Sequence, residues 1–278
     1  MAFEKHPVFE LPSSAGEIIW RYMDFTKFVS MLVKRSLYFS NLLLLSQNDP
    51  FEGLTPTTFF RHRNWHTIDD VDADVRANLA RWPAGFTEPQ KLEQVRSARE
   101  DFAKKAFHNR KTFYVNCWHM NNYESPAMWS LYSMKGSGIA VTSTVEKIDS
   151  ALKPAGRKLY AGKVRYTDYD TTPYSSKNLF SNVMQKRISY EYERELRVVF
   201  WDMARGGPYR DFAELEALVV PPGVEFECDL DLLVSAVYVS PASESWYRDL
   251  VESVMAKYGL TNPLPVKQSN LDAIPIHP

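Results

Sequence analysis

The chain has 278 residues, 45% of them hydrophobic and 24% charged, a composition that is typical of a folded globular protein and argues against disorder. Its net charge of −1 gives no electrostatic sign of binding to nucleic acid or to a membrane surface, and no apolar run is long enough to span a membrane. The two cysteines, Cys117 and Cys228, have no pair spacing and no secretion signal is present, so we expect a soluble cytoplasmic protein without disulfides.

The first part of the chain predicts two strands, a helix and a long insertion. Residues 17–25 are rich in Ile, Trp and Tyr and predict a strand, and Thr26 can cap a helix over residues 27–35. A second strand over residues 36–41 leads through an apolar run into "NDPFEG". Residues 54–89 mix charged and aromatic residues without a clear period, which predicts a partly helical, lid-like insertion.

From residue 89 onward the predicted elements are better defined. In chain order they are a helix over 89–110, a strand over 112–118, a helix over 127–134, strands over 136–144 and 158–168, a helix over 178–190, strands over 192–200 and 232–240, a helix over 243–259 and a last strand within 264–269. We therefore predict a single α+β domain over residues 1–278, with a mixed central sheet of about six to eight strands and flanking helices.

The strand predicted over residues 192–200 contains the most informative side chains. Because side chains alternate along a strand, Glu193, Glu195 and Arg197 should share one face, with the two carboxylates roughly 7 Å apart. One carboxylate could hold a ribose hydroxyl or a metal ion while the other handles a proton. The alternative is a solvated edge strand in which Glu195 simply pairs with Arg197.

Two other patterns allow both a functional and a structural interpretation. Ser143, near the hydroxyl-rich end of a predicted strand, could contact a sugar or a phosphate, or could begin a capping box with Glu146. Tyr132 could stack on a flat ligand, or it could pack in the core beside Met128. The sequence leaves both alternatives open.

The segment "NDPFEG" also has two interpretations. Pro50 and Gly53 can fix a turn in which Asn48 bonds its own backbone, and such a turn needs no function. The sharper prediction is a site rim, in which Asn48, Asp49 and Glu52 face the same cleft as the two late glutamates. The histidines form no ligand cluster, and the sequence has no phosphate loop, glycine-rich dinucleotide turn or zinc-protease motif, so we predict no metal site of those kinds.

Three stretches of the chain resemble one bacterial family. "LYFSNLLLLSQNDPFEG", "NCWHMNNYESPAMWSLYSMKGSGIAV" and "KRISYEYERELRVVF" are similar, in order and spacing, to the hallmark blocks of the domain of unknown function 2971 family (DUF2971), over residues 20–259. Members often have Trp where Tyr190 stands and His where Leu131 stands. Because the activity of that family is not settled, the resemblance implies a fold rather than a reaction.

The chain also resembles the layout of ADP-ribosyltransferases, through "WRY" on the first strand, "TST" on a middle strand and two glutamates on a late strand. This likeness implies a split sheet that binds NAD and a transfer of ADP-ribose to a protein or nucleic-acid acceptor. It implies Glu195 as the central catalyst, because a fixed negative charge stabilises the positive charge of the transition state, and Glu193 as the group that orients or deprotonates the acceptor. The implied cofactor contacts are Arg21, Tyr22, Tyr132, Ser143 and Arg197.

Two functions of other classes also fit the sequence. A magnesium-dependent nuclease or phosphodiesterase could use four carboxylates as oxygen ligands for Mg²⁺, those of Asp49, Glu52, Glu193 and Glu195. Alternatively, the protein could be a non-catalytic binding module of a toxin or phage-defence system. Trp65 and Trp82 in the insertion would then contribute to a partner surface.

Overall fold

The computed structural model describes residues 2–79, 85–132, 136–174, 178–207, 210–241, 243–260 and 266–271. The strands are β1 (Ile18–Asp24), β2 (Ser36–Asn41), β3 (Phe113–Met120), β4 (Gly138–Thr144), β5 (Leu152–Lys153), β6 (Leu159–Lys163), β7 (Arg165–Thr167), β8 (Gln185–Arg187), β9 (Glu195–Trp201), β10 (Gly223–Cys228), β11 (Ala236–Val239) and β12 (Val266–Gln268). The α-helices are α1 (Phe25–Lys34), α2 (Leu42–Leu45), α3 (Ala73–Leu79), α4 (Glu88–Asn109), α5 (Pro126–Tyr132), α6 (Val145–Ala151), α7 (Leu179–Val183), α8 (Phe212–Ala217), α9 (Leu230–Leu233) and α10 (Ser245–Lys257). Short 3₁₀ helices span Thr57–Asn64, Ile68–Asp70, Arg110–Thr112 and Ile188–Glu193. No helix in these ranges has both the length and the apolar character needed to cross a membrane.

The strands confirm an α+β fold with a mixed central sheet. Within the described residues, ten strands form one sheet in the order β12, β11, β4, β1, β3, β2, β10 and β5, with β9 and β6 extending from β3. The pair β11 and β12 is parallel, whereas β1 and β4, for example, are antiparallel. The sheet has more strands than the six to eight predicted, because pieces as short as β5 contain too few residues to show an alternating pattern.

The sheet is split beside β3. One edge of β3 pairs with β9 along its length, from Phe113 to His119. On the other edge, β1 pairs only with the end of β3, at His119 and Met120, and β2 pairs only near its start, at Tyr114 and Val115. Because β1 and β2 share this edge at opposite ends, they diverge and leave an opening between them.

The main hydrophobic core lies on one face of this sheet, against α1, α6, α9 and α10. Helix α1 contributes the buried side chains of Phe28, Met31 and Leu32, which helical spacing places on one side. Helix α10 buries the stripe Tyr247, Val251 and Met255. Trp246, one residue before this stripe, is 62% exposed.

The apolar run after the predicted strand, Leu42–Leu45, forms the short helix α2. Four apolar residues do not distinguish a strand from a helix, and the capping group at Asn41 decides between them. The Asn41 side chain accepts a hydrogen bond from the backbone N–H of Leu43 at 3.0 Å and donates one to the carbonyl of Lys111 at 2.7 Å. The turn that follows contains the buried carboxylates of Asp49 and Glu52.

The region before β9 differs most from the prediction. The helix expected over residues 178–190 is divided into α7, β8 and the start of the 3₁₀ helix Ile188–Glu193. Arg194 has a φ of 39°, and this left-handed residue ends the 3₁₀ helix, so that β9 begins at Glu195. Glu193 therefore lies outside the strand. The prediction that Glu193 alternates with Glu195 and Arg197 along one strand is wrong.

Two predicted helix starts are displaced. Asp24, rather than Thr26, caps α1 by accepting a hydrogen bond from the N–H of Lys27 at 2.8 Å. Thr144, rather than Ser143, caps α6 by accepting from the N–H of Lys147. The capping box predicted at Ser143 does not form because Ser143 is still paired within β4.

The insertion is partly helical, as predicted, and packs around its own small core. It contains the first two 3₁₀ helices and α3. Its core consists of Trp65, Val71, Val75, Leu92 and Val95, the last two from α4. Trp65 is 4% exposed and so belongs to this core rather than to a partner surface. Trp82 lies outside the described residues.

Replacement of Gly53 by alanine should destabilise the protein more than replacement of Gly156. Both glycines have positive φ, 72° and 79°, so each alanine would adopt a left-handed backbone at a cost of about 1 kcal/mol. At Gly53 the new Cβ would also lie 2.6 Å from Leu42 Cδ2, whereas at Gly156 it would meet open space among the described residues. We expect urea unfolding to show a loss of about 1 kcal/mol for Gly156→Ala and of at least about 2 kcal/mol for Gly53→Ala. Equal losses would contradict the packing of this turn against α2.

Candidate functional site

The candidate site is built around Arg197, a guanidinium with no solvent exposure in the middle of the sheet. Its Nε and Nη2 donate to the two carboxylate oxygens of Glu195 at 2.6 and 3.0 Å. Its Nη1 donates to Glu52 Oε1 at 2.7 Å and to the carbonyl of Val183 at 2.6 Å. Glu195 and Arg197 face the same side because they are two residues apart on β9. The planar guanidinium suits this bidentate pairing, and the pairing compensates charges that burial would otherwise leave unsatisfied.

Lys186, on β8, is the second cation of the cluster. Its Nζ pairs with Glu193 Oε2 at 2.5 Å and lies 3.6 Å from Glu52 and 3.8 Å from Glu195. The three carboxylates of Glu52, Glu193 and Glu195 therefore face the two cations of Lys186 and Arg197, which leaves one negative charge in excess. We call these five residues the carboxylate cluster.

The neighbouring residue on β8 fixes the "NDPFEG" turn. Arg187 Nη2 donates to Asp49 Oδ1 at 2.6 Å, and its guanidinium lies 4.8 Å from the centre of the Phe51 ring. Lys186 and Arg187, which are consecutive on β8, thus pair with Glu52 and Asp49, the two carboxylates of the turn. The second oxygen of Asp49, Oδ2, is buried and has no hydrogen-bond partner among the described residues.

The charges of the carboxylate cluster control its protonation. Burial would raise the pKa of Glu195, but Arg197 and Lys186 outweigh burial and lower this pKa to about 2. Burial raises the pKa of Glu193, and Lys186 offsets only part of the rise. Burial would lower the pKa of Lys186, yet the surrounding carboxylates raise it. Glu195 is therefore an ionised and fully paired carboxylate at neutral pH, whereas Glu193 has an increased proton affinity.

Two adjacent pockets lie beside this cluster, and the smaller one is lined by its residues. The larger, of about 500 Å³, lies in the split between β1 and β2. The smaller, of about 120 Å³, lies over the carboxylate cluster. The two pockets are adjacent, and the residues that line both are Tyr22, Leu45, Asn48, Cys117 and Tyr132.

Aromatic rings form the wall of the smaller pocket on the side of β1 and α5. Trp20 and Tyr22 are stacked at 6.0 Å, and Trp129 meets the Tyr22 ring edge-on at 4.9 Å. The Tyr22 hydroxyl accepts a hydrogen bond from the N–H of Ser125, which holds the start of α5 against β1. Tyr132, at the end of α5, is 40% exposed, and burial of its hydroxyl together with nearby negative charge raises its pKa to about 12.

Arg21 crosses the opening between β1 and β2. Its Nη1 donates to the carbonyl of Cys117 at 2.9 Å, and its Nη2 lies 3.5 Å from the carbonyl of Tyr38. A guanidinium thus takes the place of the ladder hydrogen bonds that the split removes from this edge of β3. Burial lowers the pKa of Arg21, although the group stays charged at neutral pH.

The structure brings together most of the residues predicted to form a site. Glu52 and Glu195, which are far apart in sequence, contact the same guanidinium. The predicted site residues that line the two pockets are Arg21, Tyr22, Asn48, Asp49, Glu52, Tyr132, Glu193, Glu195 and Arg197. The cleft expected at the "NDPFEG" turn therefore exists, while the role of each residue in it stays a prediction.

Ser143 is not among these residues. It pairs with Ile19 in the ladder, so its side chain points to the face opposite Trp20 and Tyr22. Its hydroxyl is buried and donates to the carbonyl of Leu233 at 2.6 Å. Thr142, one residue earlier on β4, is opposite Trp20, so the side chains of Thr142 and Trp20 lie on the same face of the sheet. The structure therefore gives Ser143 a structural contact away from the pockets.

Trp20, Lys186 and His119 also line the smaller pocket and are not among the predicted site residues. Lys186 falls in the region where a helix was expected, so its position could not be inferred. His119 is opposite Glu195, just as Cys117 is opposite Arg197, so these four residues share one face of the sheet. Alternation along β3 was the available signal, but the histidines were considered only as a metal cluster.

No family model matches the chain, and no curated protein is significantly similar to it. The resemblance to the DUF2971 blocks and to the ADP-ribosyltransferase layout therefore stays a prediction. The geometry of the site is the basis for the function proposed below.

Glu195→Gln should strongly destabilise the protein, because it leaves buried Arg197 without its bidentate partner. Breaking one side of a buried pair costs about 3–5 kcal/mol. Urea unfolding should show a loss of this size, and the double variant Glu195→Gln/Arg197→Met should lose less than the sum of the two single variants. The control is Glu214→Gln, which breaks a 3.4 Å surface pair with Arg210 and should cost about 0.5 kcal/mol or less. Equal losses in the two glutamate variants would contradict the buried pairing.

The same pair should contribute to stability against acid. Glu195 has an ordinary carboxyl pKa of 4.5 in the unfolded chain and a pKa of about 2 in the fold. Its contribution is therefore complete above about pH 4.5 and is lost as the pH falls towards 2, on the order of 3 kcal/mol in total. We expect the free energy of unfolding to fall less steeply between pH 5 and about 3 in Glu195→Gln than in the wild type. Parallel pH profiles would contradict this assignment.

Proposed function

We propose that this protein is an NAD-dependent, ADP-ribosyltransferase-like enzyme, which transfers ADP-ribose from NAD to an acceptor. The observation that supports the proposal is a pair of adjacent pockets at a split in the sheet, the smaller of which is lined by a carboxylate cluster with an excess negative charge. A bacterial toxin or phage-defence setting, with a protein or nucleic-acid acceptor, belongs to the same proposal.

The larger pocket has the size and charge that a dinucleotide requires. Its volume of about 500 Å³ lies within the usual range of ligand sites. Arg21 lies inside it, and Lys27 and Lys34 lie on its rim. The two lysines pair with Asp24 and Glu225 on the surface, and such pairs are weak enough for a pyrophosphate to compete for the cations.

The smaller pocket suits the nicotinamide end of NAD. Its walls include the rings of Trp20, Tyr22 and Tyr132, which offer flat surfaces to a planar ring. Its floor is the carboxylate cluster. In the reaction, the bond between nicotinamide and the anomeric carbon breaks, and nicotinamide leaves with the bonding electrons. A carboxylate near that carbon stabilises the positive charge that develops on the ribose.

The geometry favours Glu193 for this task and Glu195 for support, the reverse of the assignment made from sequence. Both oxygens of Glu195 are engaged by Arg197, so its charge is largely compensated. Glu193 pairs with Lys186 through Oε2, and its side chain is 19% exposed. Glu193 therefore has a carboxylate that a ligand can reach, while Glu195 fixes the cations around it.

The magnesium alternative has less support. The carboxylates that would act as ligands already face Arg197, Lys186 and Arg187 at close range. A divalent cation would have to displace these cations, which are held by the strands. The composition of the cluster therefore favours a site in which arginine and lysine side chains, rather than a metal ion, supply the positive charge.

The proposal predicts that NAD raises the melting temperature of the wild type and that the protein slowly releases nicotinamide. Glu193→Gln should lower the rate of release by about 100-fold or more, because it removes a charge that stabilises the transition state, while the thermal shift with NAD persists. The matched control is Glu191→Gln, an exposed residue of the same 3₁₀ helix, which should behave as the wild type.

Release of nicotinamide would be followed by chromatography, with thermal melts of the same samples. A wild-type protein that neither binds NAD nor releases nicotinamide would contradict the proposal. Retained activity in Glu193→Gln would contradict the assignment of that residue. A thermal shift with Mg²⁺ in place of NAD would favour the phosphodiesterase alternative.

A further inference from the structure

His119 has no role in the site as described so far, although it lies at its centre. It is 3% exposed and belongs to β3, between β1 and β9. Trp20 is its partner in the ladder on one side and Glu195 on the other. These pairings hold the imidazole on the face of the sheet that forms the smaller pocket, which His119 lines.

The hydrogen bonds of His119 define which ring nitrogen is free. Its Nδ1 lies 2.6 Å from the backbone carbonyl oxygen of Glu193. A carbonyl oxygen only accepts, so Nδ1 must bear the proton and donate it, and Nε2 is left with a lone pair. Nε2 is buried and has no hydrogen-bond partner among the described residues. A buried acceptor that the described part of the chain leaves unpaired, in a residue that lines a pocket, points to a ligand that donates a proton.

The surroundings keep this imidazole neutral. Burial lowers the pKa of His119, and the hydrogen bond to the Glu193 carbonyl opposes this only in part. The ring of Tyr22 meets it edge-on at 6.1 Å and restricts its rotation. His119 therefore presents a fixed, unprotonated nitrogen at neutral pH, as a general base requires.

We propose that His119 Nε2 is the general base for the acceptor, and that the acceptor group is a hydroxyl. This inference rests on the proposed function. As the acceptor oxygen bonds to the anomeric carbon, its O–H bond breaks and the proton moves to Nε2, while the bond to nicotinamide breaks and its electrons leave with nicotinamide. Water fulfils the same role in hydrolysis, which gives ADP-ribose, nicotinamide and one proton.

The chemistry of the pocket favours a hydroxyl over other acceptor groups. A carboxylate acceptor brings no proton for Nε2 to accept, so it has no use for a base at this position. A guanidinium has no free lone pair while it is protonated, and a neutral imidazole is far too weak a base to remove that proton before the attack. A hydroxyl becomes acidic as it attacks a positively charged carbon, so a base of moderate strength is sufficient.

His119→Asn is the variant that tests this role. The amide nitrogen of asparagine can replace Nδ1 and still donate to the Glu193 carbonyl, while the base at Nε2 is lost. We expect hydrolysis of NAD by the purified protein, followed as nicotinamide release, to fall about 100-fold in kcat, with KM and the thermal shift with NAD unchanged. The matched control is His66→Asn, an exposed histidine of the insertion, which should behave as the wild type.

Sodium azide distinguishes a base from a structural residue. Azide is an anionic nucleophile that needs no proton removed, so it should raise nicotinamide release by His119→Asn at least tenfold and have little effect on the wild type. Wild-type hydrolysis in His119→Asn, or a loss that azide does not restore, would overturn the role of His119 while leaving the proposed function intact. A wild type that releases no nicotinamide would instead overturn both.

Discussion

Burial of the Arg197 guanidinium is the constraint on which the site depends. A fully buried charge needs partners for its N–H groups, and no single segment of this chain supplies them. Glu195 comes from the same strand, Glu52 from the turn after α2, and the carbonyl of Val183 from the end of α7. Three distant segments must therefore meet at one group, and the "NDPFEG" turn lies under the sheet for this reason rather than in solvent.

This constraint also explains why Glu193 and His119 border the smaller pocket beside the paired charges of Arg197. Arg197 occupies Glu195 and Glu52, so Lys186 is left to pair most closely with Glu193 at the edge of the cluster. The backbone of Glu193 orients His119, and its side chain borders the pocket. One residue at the end of a 3₁₀ helix thus connects the buried charges to the cavity.

Much of the fold could be predicted from local sequence patterns. The set of residues in the site could not, because it depends on strand register and on where helices begin and end. Strand β2 and helix α4 agree with their predicted bounds because they have strong periods and clear ends. Ser143 was misplaced because a shift of one residue along a strand exchanges its two faces, and only pairing with β1 shows which face meets the pocket. Glu193 was misplaced because the left-handed turn at Arg194 leaves no mark in the alternation of charges.

The split beside β3 has a mechanical consequence. One group of strands reaches β3 through β1 and the other through β2, at opposite ends of the same edge. Because β3 connects the two groups of strands, the width of the opening between them depends on the twist and bend of β3. A ligand of the proposed kind would lie between the two groups of strands, and the width available to it would depend on the coiling of β3.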